Sequence, residues 1–174
     1  MDNHEHRGMD PDCLDVIDTT GDTVPHCHIW SGVDVVAIGR INRLYVEFGD
    51  SFTQRVYTPT EIAYCESRPH PSQHYAARWA AKEAFRKAVD TDGPHAPFSS
   101  IGITRTESGP SLTLDAPAKR ALEYTIHRRG SSRESIVSTV SLSHDRPAGV
   151  AMAHVIIVGS SKSIEHSDRT HTDR

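Results

Sequence analysis

Cysteine, aromatic residues and long apolar runs are all scarce in this chain, and each scarcity argues against a class of protein. The three cysteines, Cys13, Cys27 and Cys65, are scattered and form no C-x-x-C pair; they fit a reducing, cytoplasmic setting better than a disulfide framework. No apolar run reaches the 18 residues of a membrane span, and the start of the chain has no apolar signal-peptide core, so a soluble intracellular protein is expected. Aromatics make up 6% of residues and mean hydropathy is -0.49. The core must therefore rest on Val, Ile, Leu and Ala. Positive charge is also in short supply, with a net charge of -4. Residues 1–27 hold seven acidic residues and one Arg, which leaves residues 28–174 at about +2. With no basic stripe interleaved with aromatics, nothing points to nucleic acid, and an anionic small molecule or acidic protein is the easier partner. The chain contains no Walker loop, no G-x-G-x-x-G and no G-x-S-x-G. Its histidines, His26 and His28 around Cys27 included, match no structural zinc spacing.

Periodicity divides the chain into one domain, residues 28–159, between an acidic, His-rich extension (1–27) and a polar tail (160–174), both expected to be disordered. His28–Ile38 is an apolar run that reads as a strand buried on both faces, interrupted by Asp34. A short helix is expected over Arg40–Phe48. Thr58-Pro59-Thr60-Glu61 then carries a capping box with proline at the first helical position. Ser72 is placed to cap the next helix, which runs to about Val89. On its wheel Ala77, Ala80, Ala81, Ala84, Phe85 and Ala88 form an apolar face opposite Arg78, Lys82, Glu83, Arg86 and Lys87. A hairpin follows, Ile101–Thr106 and Ser111–Leu114, with its turn at Ser108-Gly109-Pro110. A helix then starts at Asp115 and ends near Gly130. Two strands, about Ile136–Ser143 and Gly149–Val158, close the domain. Helices first and hairpins later give an α+β fold in which a largely antiparallel sheet packs with a long helix.

Two carboxylates carry the chemistry. Asp34 comes from a strand and Glu83 from the long helix, with cations beside it. Carboxylates on rigid elements suit Mg²⁺, which is usually held by one or two of them while water and substrate phosphate fill its other positions. The plainer readings are a strand-end turn for Asp34 and a surface i,i+4 salt bridge between Glu83 and Lys87. His144, at a strand end, reads equally as an ordinary loop histidine.

Four segments in order carry a more specific signal: Gly32/Asp34, then Phe52/Arg55/Thr58/Glu61, then Arg78-Trp79-Ala80-Ala81-Lys82-Glu83-Ala84-Phe85-Arg86-Lys87, then Val140-Ser141-Leu142-Ser143-His144. Together they resemble the small holo-acyl-carrier-protein synthase type of 4′-phosphopantetheinyl transferase, over about residues 30–158. The resemblance implies an enzyme that moves 4′-phosphopantetheine from coenzyme A to a serine of an apo acyl carrier protein, of fatty-acid or polyketide biosynthesis, and releases adenosine 3′,5′-bisphosphate. It further implies Mg²⁺ on Asp34 and Glu83, catalytic roles for Glu83 and Lys87, and a homotrimer with shared active sites. Arg78, Lys82, Thr91, Ser141, Ser143 and His144 would meet coenzyme A, and Arg40, Arg43 and Arg55 an acidic helix of the carrier. A non-catalytic homologue holding coenzyme A or carrier protein is the alternative, and a metal-dependent phosphate-ester hydrolase the third reading. The chain departs from the family pattern at Trp30-Ser31 (usually Gly-Ile), at Thr139 (usually His) and at Ser108-Gly109-Pro110 (usually Gly-Lys-Pro). It also has Asp90-Thr91-Asp92 for Gly-Thr-Gly, two carboxylates expected to repel a phosphate-bearing substrate.

Overall fold

The computed structural model describes residues 27–89, 91–128 and 136–160. Asp90, Gly130 and the two terminal extensions lie outside them, except that Cys27 and Ser160, expected in the extensions, end strands of the sheet. In chain order the elements are β1 (Cys27–Ala37), α1 (Ile38–Phe48), α2 (Asp50–Val56), α3 (Pro59–Glu66), α4 (Pro71–Ala88), β2 (Ile101–Thr106), β3 (Gly109–Leu114), α5 (Ala116–Arg128), β4 (Ile136–Asp145) and β5 (Val150–Ser160), with one 3₁₀ turn at Phe98–Ser100. The fold is α+β, as the sequence implies. Among the described residues it holds two antiparallel sheets, a three-stranded one in the order β1-β5-β4 and the separate hairpin β2-β3.

The long helix α4 is the centre of the domain. Its alanines, 76, 77, 80, 81, 84 and 88, are all buried, and their small side chains let β1 and β5 come close. From the sheet side Val36, Ala151, Ala153, Val155 and Ile157 complete the core. Alternate residues of β1 behave differently: Ile29, Val33 and Val35 are 68%, 47% and 58% exposed. The expected strand buried on both faces is thus a strand buried on one, because only α4 covers the sheet. Across that open face β1, β5 and β4 place Val33, His154 and Ser141 in one row and Val35, Met152 and Ser143 in the next.

Local signals explain most boundaries. Thr58 and Glu61 form the reciprocal capping box, each side chain meeting the other's backbone N–H. Helix α4 starts at Pro71, behind His70 in a left-handed conformation (φ 59°). Ser72 is not its cap, and donates instead to Asn42 Oδ1 at 2.6 Å. The hairpin turn sits at Glu107-Ser108, two residues earlier than expected, so Gly109 and Pro110 already pair with Thr106 and Arg105. The sequence reading had no separate α2; Gly49, at φ 51°, breaks it from α1.

Candidate active site

Strand β1 meets α4 at Gly32. A Cβ there would fall 2.0 Å from the carbonyl oxygen of Ala84 and 2.8 Å from the amide of Ala88, so only glycine allows this approach. Asp34 is the next residue of β1 on the same face, and the contact carries it to the last turns of α4. There the Lys87 ammonium donates to Asp34 Oδ1 at 2.7 Å and to the carbonyl of Val33 at 3.0 Å. Lys87 therefore pairs with the strand and not with Glu83. Glu83, one turn earlier, lies 4.0 Å from Arg86. Both carboxylates keep partial contact with solvent, their side chains 15% and 30% exposed. Glu83, Arg86 and Lys87 line a cavity of about 260 Å³ with Thr91, Gly93 and His95.

The residues fit a hard divalent cation. Asp34 and Glu83 offer oxygen ligands from two elements locked together at Gly32. Among the described residues no group of three His, Cys, Asp or Glu side chains converges as a closed metal cage. A cation held by this pair would keep positions for water and phosphate oxygens, as Mg²⁺ prefers.

Lys82 departs from its sequence reading. It is completely buried, and its ammonium donates to Glu61 Oε2 at 2.8 Å, to the carbonyl of Phe98 at 3.0 Å and to the carbonyl of Ile101. With all three donors used inside the core, none remains for coenzyme A. Burial lowers the Lys82 pKa, and the Glu61 carboxylate partly restores it. Glu61 also accepts from the amides of Thr58 and Ile103. The Lys of the helix motif and the Glu of the capping box thus tie α3, α4 and β2 together.

Arg78 is buried too, but it faces a second cavity of about 210 Å³ with His144, His74, Tyr64, Thr104 and Arg105. Its guanidinium lies over the Tyr64 ring at 4.1 Å, and one amino group donates to the carbonyl of His74 at 3.3 Å. The polar outer face read for Arg78 and Lys82 is therefore wrong; tertiary contacts bury α4 nearly all round. Ser141 and Ser143 do not join this cavity. Their parity on β4 is opposite to that of His144, so they lie on the open face of the sheet. Thr91 joins the first cavity. Arg40 and Arg43 are exposed on α1, and Arg40 stacks on Trp79 at 5.7 Å. Arg55 is exposed in the last turn of α2. Asp92 is 78% exposed, 3.4 Å from Arg128, and does not line the first cavity, so the repulsion expected of it has no geometric basis; Asp90 lies outside the described residues. Sequence reasoning passed over His74, one helical turn before Arg78, and Arg86. Position on the α4 wheel was the available signal for both.

Residues 31–141 match the 4′-phosphopantetheinyl transferase superfamily, a span that holds the first three motifs and the first two residues of the fourth. The chain belongs to this superfamily. Its relatives include the holo-[acyl-carrier-protein] synthase of Ruminiclostridium cellulolyticum, 41% identical over 75% of this chain and 92% of that one. That of Solibacter usitatus is 37% identical over 74% and 97%. Among solved structures, the holo-[acyl-carrier-protein] synthase of Neisseria meningitidis is 32% identical, with a TM-score of 0.58 over 76% of this chain and 98% of the other. An ACPS–CoA complex from Chronobacterium ammoniagenes is 25% identical, with a TM-score of 0.59 over 78% and 99%. As a member of this transferase superfamily, the chain is an enzyme of the holo-[acyl-carrier-protein] synthase kind.

Proposed function

We propose that the protein transfers the 4′-phosphopantetheine arm of coenzyme A to a serine hydroxyl of an apo acyl carrier protein and releases adenosine 3′,5′-bisphosphate, with Mg²⁺ held by Asp34 and Glu83. The observation that carries this reading is the Asp34–Lys87 pair at the end of α4, beside a cavity that Lys87 lines together with Glu83. Bound there, the cation would neutralise pyrophosphate charge and favour the leaving group. The chain's own residues supply the rest. Lys87, which is half exposed, donates to the phosphoryl or leaving oxygen. Glu83, the one carboxylate among the described residues that lines the cavity, accepts the serine proton as the serine oxygen bonds to phosphorus and the bond to the departing bisphosphate breaks. Such a loose phosphoryl transfer asks mainly for positioning and charge, and the Gly32 contact supplies the positioning.

The coenzyme A contacts divide between two places. Thr91 lines the first cavity with Glu83, whereas Arg78 and His144 border the second. Arg78 and Glu83 are five residues apart on α4, about 140° around the helix, so one nucleotide does not easily reach both in a single chain. A homotrimer resolves this if one subunit supplies the metal pair and its neighbour supplies Arg78 and His144. The open sheet face, with Ile29, Val33, Val35, Val137 and Met152 exposed, suits such an assembly. Arg40, Arg43 and Arg55 would receive an acidic carrier helix. Calorimetry with coenzyme A, with and without Mg²⁺, tests the site: Mg²⁺ should tighten binding to the protein and not to Glu83→Ala, and equal Mg²⁺ effects on both would refute the metal assignment. Light scattering should give three times the 19.2 kDa chain mass.

A further inference from the structure

The second cavity is unusually cationic, and one of its groups has no role in the reading above. Arg78 and Arg105 face it with His74 and His144, and among the described residues no carboxylate lines it. Arg78 is only 5% exposed, yet its Nε has no hydrogen-bond partner among the described residues. A buried guanidinium N–H without an acceptor points to a ligand that brings one, and an anion brings the charge as well. His74 sits beside it. Its ring meets that of His144 edge to face at 5.2 Å and that of Tyr64 at 5.8 Å, and its Nε2 is 3.4 Å from the Gln73 amide nitrogen.

We propose that His74 takes up a proton when a phosphomonoester enters this cavity beside Arg78, so that phosphate binding is proton-coupled and His74 favours substrates carrying that group. The proposal rests on the coenzyme A reading, in which the phosphomonoester is the 3′-phosphate of the nucleotide.

The cationic neighbours of His74 in the described residues favour its neutral form when no anion is bound. Arg78 lies one turn along α4, Arg68 lies over the Tyr64 ring at 4.6 Å, His144 touches from β4, and Arg105 faces the cavity from β2. Glu66, at the end of α3, is engaged by the hydroxyls of Tyr45 and Tyr75. Burial first, then His144, Arg78 and Arg68, hold the His74 pKa below its ordinary value. A phosphomonoester carries about -1.5 to -2 charges near neutral pH, which reverses the local field and raises that pKa. Proton uptake then falls between the free and bound pKa values, and affinity declines as pH rises through that window. The phosphate's own second ionisation, near pH 6, acts in the opposite sense. Comparison with a variant lacking the imidazole cancels it.

The test is calorimetry of the full chain with coenzyme A and with 3′-dephospho-coenzyme A, in two buffers of different ionisation enthalpy, for the wild type, His74→Phe and His74→Gln. Phe keeps the aromatic contacts with Tyr64 and His144, and Gln keeps a polar side chain without titration. The wild type should take up protons with coenzyme A and not with the dephospho form, and both variants should lose that uptake. A bound-state rise of one pKa unit corresponds to about a tenfold preference for coenzyme A below the free-state pKa, lost as pH rises through the bound-state value. Equal uptake in the wild type and both variants would assign the proton to another group, His144 included, and overturn the proposal. If coenzyme A fails to bind at any pH, the functional reading falls. The His74 ring resonances titrated by NMR with and without inorganic phosphate then decide the cavity by themselves: an unchanged pKa overturns the proposal, and a raised one supports it.

Discussion

The Lys82 ammonium is buried 2.8 Å from the Glu61 carboxylate, with neither side chain exposed. This pair holds α3 against α4 and, through the amide of Ile103, both against β2. Removing one member strands the other's charge in the core, which costs about 3–5 kcal/mol. Lys82→Met should lose that much stability in urea unfolding. The double variant Glu61→Gln/Lys82→Met should recover part of it, since the amide oxygen of Gln still serves one backbone N–H. A Lys82→Met protein within about 1 kcal/mol of the wild type would mean that the pair is not buried.

Gly32→Ala tests the contact that positions Asp34. The new methyl meets backbone on α4, which cannot swing aside as a side chain can. The strand must lift, at a cost of about 1–3 kcal/mol or more, and Asp34 moves relative to Glu83. Transfer should fall more than the loss of folded protein, measured by circular dichroism, accounts for. Full specific activity in the folded fraction would show that the Gly32 approach does not set the metal pair.

Arg40→Glu should raise the KM for carrier protein by roughly tenfold while leaving that for coenzyme A nearly unchanged, because an exposed charge steers an acidic partner. Trp79 holds Arg40 in place by stacking. Trp79→Ala should therefore shift the carrier KM in the same direction. Equal shifts for both substrates would place Arg40 elsewhere.

Asp92→Gly should change the KM for coenzyme A by less than about twofold, since Asp92 is exposed and does not line the first cavity, and water and salt screen such a charge. The sequence alone suggested a larger gain from relieved repulsion. A tenfold lower KM at low salt would restore that view.

The sequence disclosed what repeats locally and hid what depends on neighbours. The capping box at Thr58/Glu61 and the alanine stripe of α4 were readable because propensity and periodicity state them directly. Lys82 was not, since a wheel cannot show that Glu61, far away in the chain, will meet it inside the core. The β1 run was apolar on both faces, and nothing local reveals that one face stays open in a single chain. Ser141 and Ser143 belong to the same motif as His144, but strand parity sends them to the opposite side. Motif order therefore locates a family more reliably than it groups the side chains of one site.

On the proposed function, Asp34 and Glu83 serve phosphopantetheine transfer and not stability. The measurement is the intact mass of apo acyl carrier proteins after incubation with coenzyme A, Mg²⁺ and the wild type, Asp34→Ala or Glu83→Ala, beside the melting temperature of each. The wild type should add one 4′-phosphopantetheine per carrier, and each variant should add none. Both variants should stay folded, because the partly exposed Asp34–Lys87 pair contributes little, at most about 1 kcal/mol. Carriers left unmodified by the wild type, or modified equally by either variant, would contradict the account.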